Sequence, residues 1–248
     1  MTNPDDDVVP PMSLPWLVGL HLLPGLGFGA LFAVLTRLFV RHGLTGYLAL
    51  LATVPLFLVP VEVGVMLLWR DGRAGRGSLS RAIAYRAESP VRDYVAWPLL
   101  ILLWMVVSSL PVASVSAYID AHFSFWLPPW ISQHVLLAGV KGLSSGQRLL
   151  NLGMAVVLSG FVAPIVEEMY FRGFLLSRMG RLGLAAPAVN ALLFAVYHFY
   201  FLANVPAVFV VFLPVAYLAR AKANWRIGAV AHGLINLLGV LQVAQAMT

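Results

Sequence analysis

"APIVEEMYFRGFLL", residues 163–176, sets two adjacent glutamates and an arginine inside an otherwise apolar run. A polar loop would tolerate those charges, but the surrounding sequence leaves no room for one. The chain of 248 residues is 60% hydrophobic and only 10% charged, whereas soluble domains carry about 25% charged residues. Its mean hydropathy is +0.87. Apolar runs of about 20 residues cross a bilayer as helices, and such runs fill most of this sequence. A soluble helical bundle would need polar outer faces, which these segments lack. The fold class is therefore all-α, a polytopic transmembrane helical bundle.

Outward from the glutamates, apolar segments fall at 14–36, 45–69, 94–119, 148–177, 184–203, 206–222 and 225–247. That predicts seven spans, or eight if one is divided. Residues 122–141, "HFSFWLPPWISQHVLLAGVK", are aromatic and broken by Pro-Pro, and read as interfacial. The only long polar stretch links the second and third spans and includes the loop 70–93. We divide the chain into an N-terminal transmembrane region, 1–147, and a C-terminal core, 148–248.

Cysteine is absent, which excludes disulfides, thiolate ligands and a catalytic thiol. The net charge of +6 comes from residues at the ends of apolar segments, so topology explains it and nucleic acid does not. Arg70, Arg73, Arg76, Arg81, Arg86, Arg92, Arg178, Arg181, Arg220, Lys222 and Arg226 fall on one side, against Arg37, Arg41, Lys141 and Arg148 on the other. The positive-inside rule then predicts an integral protein of the cell (inner) membrane, with its N-terminus cytoplasmic and its C-terminus outside. The acidic start "MTNPDDDVVPPM" lacks a signal-peptide n-region, so no cleavage is expected.

An acidic residue at mid-membrane costs roughly 2.5–3.5 kcal/mol on the insertion scale, so two need a reason. Glu168 and Arg172 are four apart and can pair on one helix face. Glu167 points about 100° away around the axis. Its own neighbours at that spacing are Tyr170 and Phe171, so no cation on this helix neutralises it. Pro164 frees the Gly160 carbonyl just upstream. In "NALLFAVYHFY", Asn190, Phe194 and His198 recur at spacing four; in "AHGLINLLG", His232 and Asn236 do the same. Gly233 permits close approach of a neighbouring helix. Glu167 lies about ten residues, ~15 Å, from the cytoplasmic end of its helix. The histidines fall at overlapping depths, so one cavity open to the cytoplasm can hold all of these groups.

Taken in order, "EEMYFR", "FAVYH" and "HGLIN" fit EExxxR, FxxxH and HxxxN, a set that resembles the CPBP family of intramembrane proteases, with its CaaX prenyl endopeptidases and bacteriocin-processing homologues. The likeness spans about 145–245. It implies that Glu167 and His198 activate a water for attack on a peptide carbonyl. It further implies that Glu168 and Arg172 orient them, and that His232 and Asn236 stabilise the oxyanion or His232 helps to hold a metal. Within the family a metal-free glutamate mechanism and a metallopeptidase label are both used. The metal is therefore open: none, or a divalent ion such as zinc, since two histidines and a glutamate resemble a catalytic zinc set. The implied partners are the lipid bilayer and a peptide or protein substrate, lipidated or not. The substrate would be cleaved in C-terminal processing, leader or sorting-signal removal, or immunity.

Other readings have weaker support. "GLSSG", 142–146, matches GxSxG outside any strand-turn-helix context, and HExxH is absent. "GLGFG", 25–29, reads as helix packing. Glu62, alone in the second span, either lines the cavity or binds a polar partner; His21 and Asp120 read as interfacial or structural. The competing functions are a transporter or proton relay, since buried Glu, His and Arg also serve those, and an inactive scaffold that binds a membrane partner.

Overall fold

Pro15 in the first turn after Ser13 starts the first helix where a missing N–H costs nothing. The computed structural model describes residues 9–69, 78–126, 128 and 133–247. Among them, seven helices are long and apolar enough to cross a membrane. They are α1 (Leu14–Arg41), α2 (Gly46–Leu68), α3 (Asp93–Phe123), α4 (Ser145–Arg178), α5 (Gly180–Tyr197), α6 (Phe199–Lys222) and α7 (Arg226–Ala246). Among the described residues of the predicted interfacial stretch are a short 3₁₀ turn, Ser124–Trp126, and a short helix, Gln133–Ala138; residues 127 and 129–132 lie outside them. Arg70, Arg73 and Arg76 of the long loop, and the acidic start up to Val8, lie outside the described residues.

α4 sits at the centre, touching α1, α2, α5, α6 and α7. α3 packs on α6 and α7 and turns Leu99, Leu103, Val107 and Leu110 outward, as a lipid-facing helix does. The glycines of "GLGFG" serve packing as expected. A Cβ on Gly25 would collide with the Tyr197 carbonyl, and one on Gly27 with the Phe57 ring. Ser144 of "GLSSG" is the N-cap of α4 and forms a capping box with Gln147, which accounts for its place in the sequence. Thr45 caps α2 through Leu48 N–H and donates to Asn151 Oδ1 at 2.7 Å, tying α2 to α4.

α4 is not a regular α-helix. A π segment, Ala155–Val162, precedes one α turn, Ala163–Glu167, and a second π segment, Glu168–Leu175, follows. Pro164 has no N–H, and its ring presses on the carbonyl of residue 160; the widened turn upstream accommodates both. π segments inside α-helices recur at functional sites.

The fifth predicted span, 184–203, ends sooner. α5 stops at Tyr197, with His198 in its cap at φ −86°, ψ 24°. Phe201 is non-helical before α6 runs on from Val205 and Pro206. The aromatic run His198–Phe201 loses side-chain freedom in a helix and favours such a break. His198 is therefore a helix-end residue, not a mid-helix one.

Two apolar clusters fill the bundle, and the spans pass from one to the other. Met66, Tyr170, Tyr197 and Ala231 belong to the first; Leu58, Val166, Tyr200 and Val240 to the second. Between those markers on each helix lie, in turn, Glu62, Glu167 with Glu168, His198 and His232. A polar layer thus separates the two apolar layers.

Candidate active site

Glu167 is buried, and each of its carboxylate oxygens faces a different histidine. Oε1 is 3.9 Å from His198 Nε2, and Oε2 is 3.6 Å from His232 Nε2. Both rings are oriented from behind. His198 Nδ1 lies 2.9 Å from the Phe194 carbonyl, an acceptor only, so Nδ1 donates there. His232 Nδ1 lies 3.2 Å from Glu168 Oε1. In a neutral ring this leaves Nε2 as the acceptor on each histidine, aimed at Glu167.

Glu168 and Arg172 are wholly buried and 3.1 Å apart. Among the described residues no nitrogen of Arg172 makes an aligned hydrogen bond, so the contact is ionic. The guanidinium also lies 4.1 Å from the Phe194 ring centre and 5.3 Å from that of Phe212. Cation–π attraction strengthens where water is excluded. The phenylalanine of FxxxH is therefore the platform for the arginine of EExxxR. The glutamate paired with Arg172 braces His232 on α7, while the one turned away faces both histidines.

Close helix approach makes this possible. A Cβ on Gly228 of α7 would lie 2.7 Å from Glu168 Oε2, and one on Gly233 would lie 2.8 Å from the Gly160 carbonyl. The carbonyl freed by Pro164 is thus where α7 presses against α4. Asn236 donates through Nδ2 to the Ser159 carbonyl at 2.9 Å, one turn beyond His232.

Other polar residues fall elsewhere. Asn190 donates to the Phe171 carbonyl and meets His21 Nε2, each at 3.0 Å, so it braces α1 and α4 instead of facing Glu167. His21 is fully buried, which removes the interfacial reading and leaves the structural one. Asp120 is exposed near the end of α3. Glu62 is fully buried and accepts from Tyr197 Oη at 3.3 Å. Sequence spacing could not pair Glu168 with His232, because 64 residues separate them.

Among the described residues, no group of three or more His, Cys, Asp or Glu side chains is placed to hold a metal ion. Zinc needs its donors within about 2.0–2.2 Å of one point, and the set Glu167, His198 and His232 does not meet that requirement as arranged.

At one end of the bundle the basic residues meet. Lys222 Nζ contacts Asp93 at 2.9 Å, Arg226 donates to the Arg86 carbonyl, Arg220 to the Gly183 carbonyl, and Arg86 bridges Asn224. The Met12 N–H reaches the Arg178 carbonyl at that same end.

Residues 149–238 match the model of the family described as type II CAAX prenyl endopeptidase Rce1-like. That segment contains Glu167, Glu168, Arg172, His198, His232 and Asn236. No curated protein and no solved structure matches the chain.

Proposed function

We propose, from the match of residues 149–238 to the type II CAAX prenyl endopeptidase Rce1-like model, that this chain is a CPBP/CaaX-type intramembrane endopeptidase using Glu167 as general base. One observation carries this reading. The two oxygens of Glu167 stand 3.9 and 3.6 Å from two histidine Nε2 atoms. Those gaps are too long for direct hydrogen bonds, yet one water making bonds of about 2.8 Å would bridge either.

Such a water gives one proton to Glu167 and is held through the other by His198 Nε2. Its oxygen attacks the carbonyl carbon of the scissile peptide, and negative charge develops on the carbonyl oxygen. Asn236 keeps a second amide proton beyond the one given to Ser159, and it donates to that oxyanion. His232 donates there when Nε2 carries a proton, with Glu168 balancing the charge. Glu167 then passes its proton to the leaving amine as the C–N bond breaks.

The substrate is a membrane-associated peptide or protein, processed at its C-terminus or at a leader or sorting signal. The basic end of the bundle supports an orientation with that end and the N-terminus towards the cytoplasm of a cell membrane, and with the active site facing the same side. A reporter fused into the 70–93 loop is expected to read cytoplasmic, and a periplasmic signal would reverse the topology. The reaction is tested by cleavage of membrane-anchored peptides, with and without a C-terminal prenyl group. Glu167→Gln and His198→Ala are each expected to lose the activity, and full rate in either would overturn the mechanism.

A further inference from the structure

Building on that hydrolytic reading, we propose that Glu62 is a positioning residue of the site, acting through Tyr197 on His198. Glu62 comes from the part of the chain outside the family match and has no place in the three motifs. Yet it lies in the same polar layer, midway between Leu58 and Met66, where α2 crosses between the apolar clusters. α2 packs on the α4 turn that carries Glu167.

The link to His198 runs through one side chain. Tyr197 is the last residue of α5, and His198 occupies the cap where helical geometry ends. A ring at such a position is held less by the backbone than one inside a helix. The Phe194 carbonyl holds one edge of the His198 ring through Nδ1, and Tyr197, itself held on either side, adds a second restraint. Its hydroxyl donates to Glu62 Oε1, its ring meets the His198 ring edge-on at 4.9 Å, and its carbonyl is pressed against Gly25 of α1. Glu62 is thus the anchor that fixes Tyr197, and Tyr197 fixes the turn that aims His198 Nε2 at Glu167.

A purely structural account fits poorly. Glu62 is fully buried, and among the described residues its Oε2 has no hydrogen-bond partner. Leucine or methionine would fill that depth without the cost of a half-satisfied carboxyl. A site that needs an acceptor for Tyr197 supplies a reason to retain it.

The test compares Glu62→Gln, Glu62→Leu and Tyr197→Phe in the purified full chain. Glutamine keeps an oxygen for the Tyr197 hydroxyl, whereas the other two variants break the bond. Two readouts are taken: peptide cleavage, and the ¹⁵N spectrum of the histidine rings with His198 assigned by His198→Ala. Glu62→Leu and Tyr197→Phe are expected to move the His198 signals and lower kcat by about tenfold or more with little change in KM. Their combination should lose no more than either alone, and Glu62→Gln should restore the signals and most of the rate. Unmoved His198 signals in both bond-breaking variants would overturn the proposal. If Glu62→Leu does not fold, Tyr197→Phe against Glu62→Gln gives the same comparison. The spectrum needs no substrate, so a failed protease reading, seen as no cleavage by the wild type, is separable from a failed link between Glu62 and His198.

Discussion

His232 sets its Nδ1 3.2 Å from Glu168 Oε1, and that same oxygen lies 3.1 Å from Arg172. One buried carboxylate thus joins a cation on its own helix to an imidazole on α7. The arrangement fixes the roles of the adjacent glutamates, since Glu168 Oε1 is engaged by both Arg172 and His232 and Glu167 is left facing both Nε2 atoms. Stability and chemistry are separated by one peptide bond.

Arg172→Leu should unfold the protein more readily than any change at Glu167. Removing one partner of a buried ion pair typically costs about 3–5 kcal/mol, and the contacts over Phe194 and Phe212 go with it. Thermal unfolding in detergent reads this directly. A midpoint equal to wild type would mean that the pair contributes nothing to the fold.

Gly228→Ala should cut activity out of proportion to its effect on stability. The new methyl group meets Glu168 Oε2 at 2.7 Å and Val215 Cγ1 at 3.0 Å. Overpacking of this kind costs about 1–3 kcal/mol, and the displaced carboxylate releases His232. Gly64→Ala is the control, because a Cβ there meets nothing within 4 Å. Equal activity in the two variants would remove Glu168 from the positioning of His232.

Asn236→Ala should lower stability by about 1 kcal/mol for its bond to Ser159. It should lower kcat by about 10²–10³, the usual loss for one oxyanion donor. Parallel unfolding and rate measurements distinguish the roles: a stability loss with an unchanged rate assigns the asparagine to packing alone.

Chelation tests the donor geometry. With Glu167, His198 and His232 arranged as they are, cleavage should persist in a strong chelator and gain nothing from added zinc. A rate abolished by chelation and restored by zinc would show that the three side chains draw together around a metal, and would replace the general-base route.

Much of this was legible in the sequence, for physical reasons. The spans could be read because lipid demands about 20 apolar residues each, and the Glu168–Arg172 pair because helical spacing survives even in a distorted turn. Gly233 announced a close approach, and the Gly160 carbonyl is what it meets. Three things were not legible. The end of α5 at His198 is a backbone break inside a continuous apolar run, invisible to hydropathy. The brace from Glu168 to His232 is a contact between distant segments. Glu62 gave only burial cost as a signal, and its partner Tyr197 becomes apparent only when α2 and α5 stand side by side.

The π segment Ala155–Val162 also gives α4 slack along its axis. A π turn holds one residue more than an α turn, so deleting a single residue there lets the turn rewind as α and leaves Glu167 near its present bearing. The regular α-helix before His232 in α7 has no such slack, and deleting one residue from it turns the imidazole by about 100° about the helix axis. Two equally small deletions, on facing helices, thus have opposite consequences for the same pair of groups.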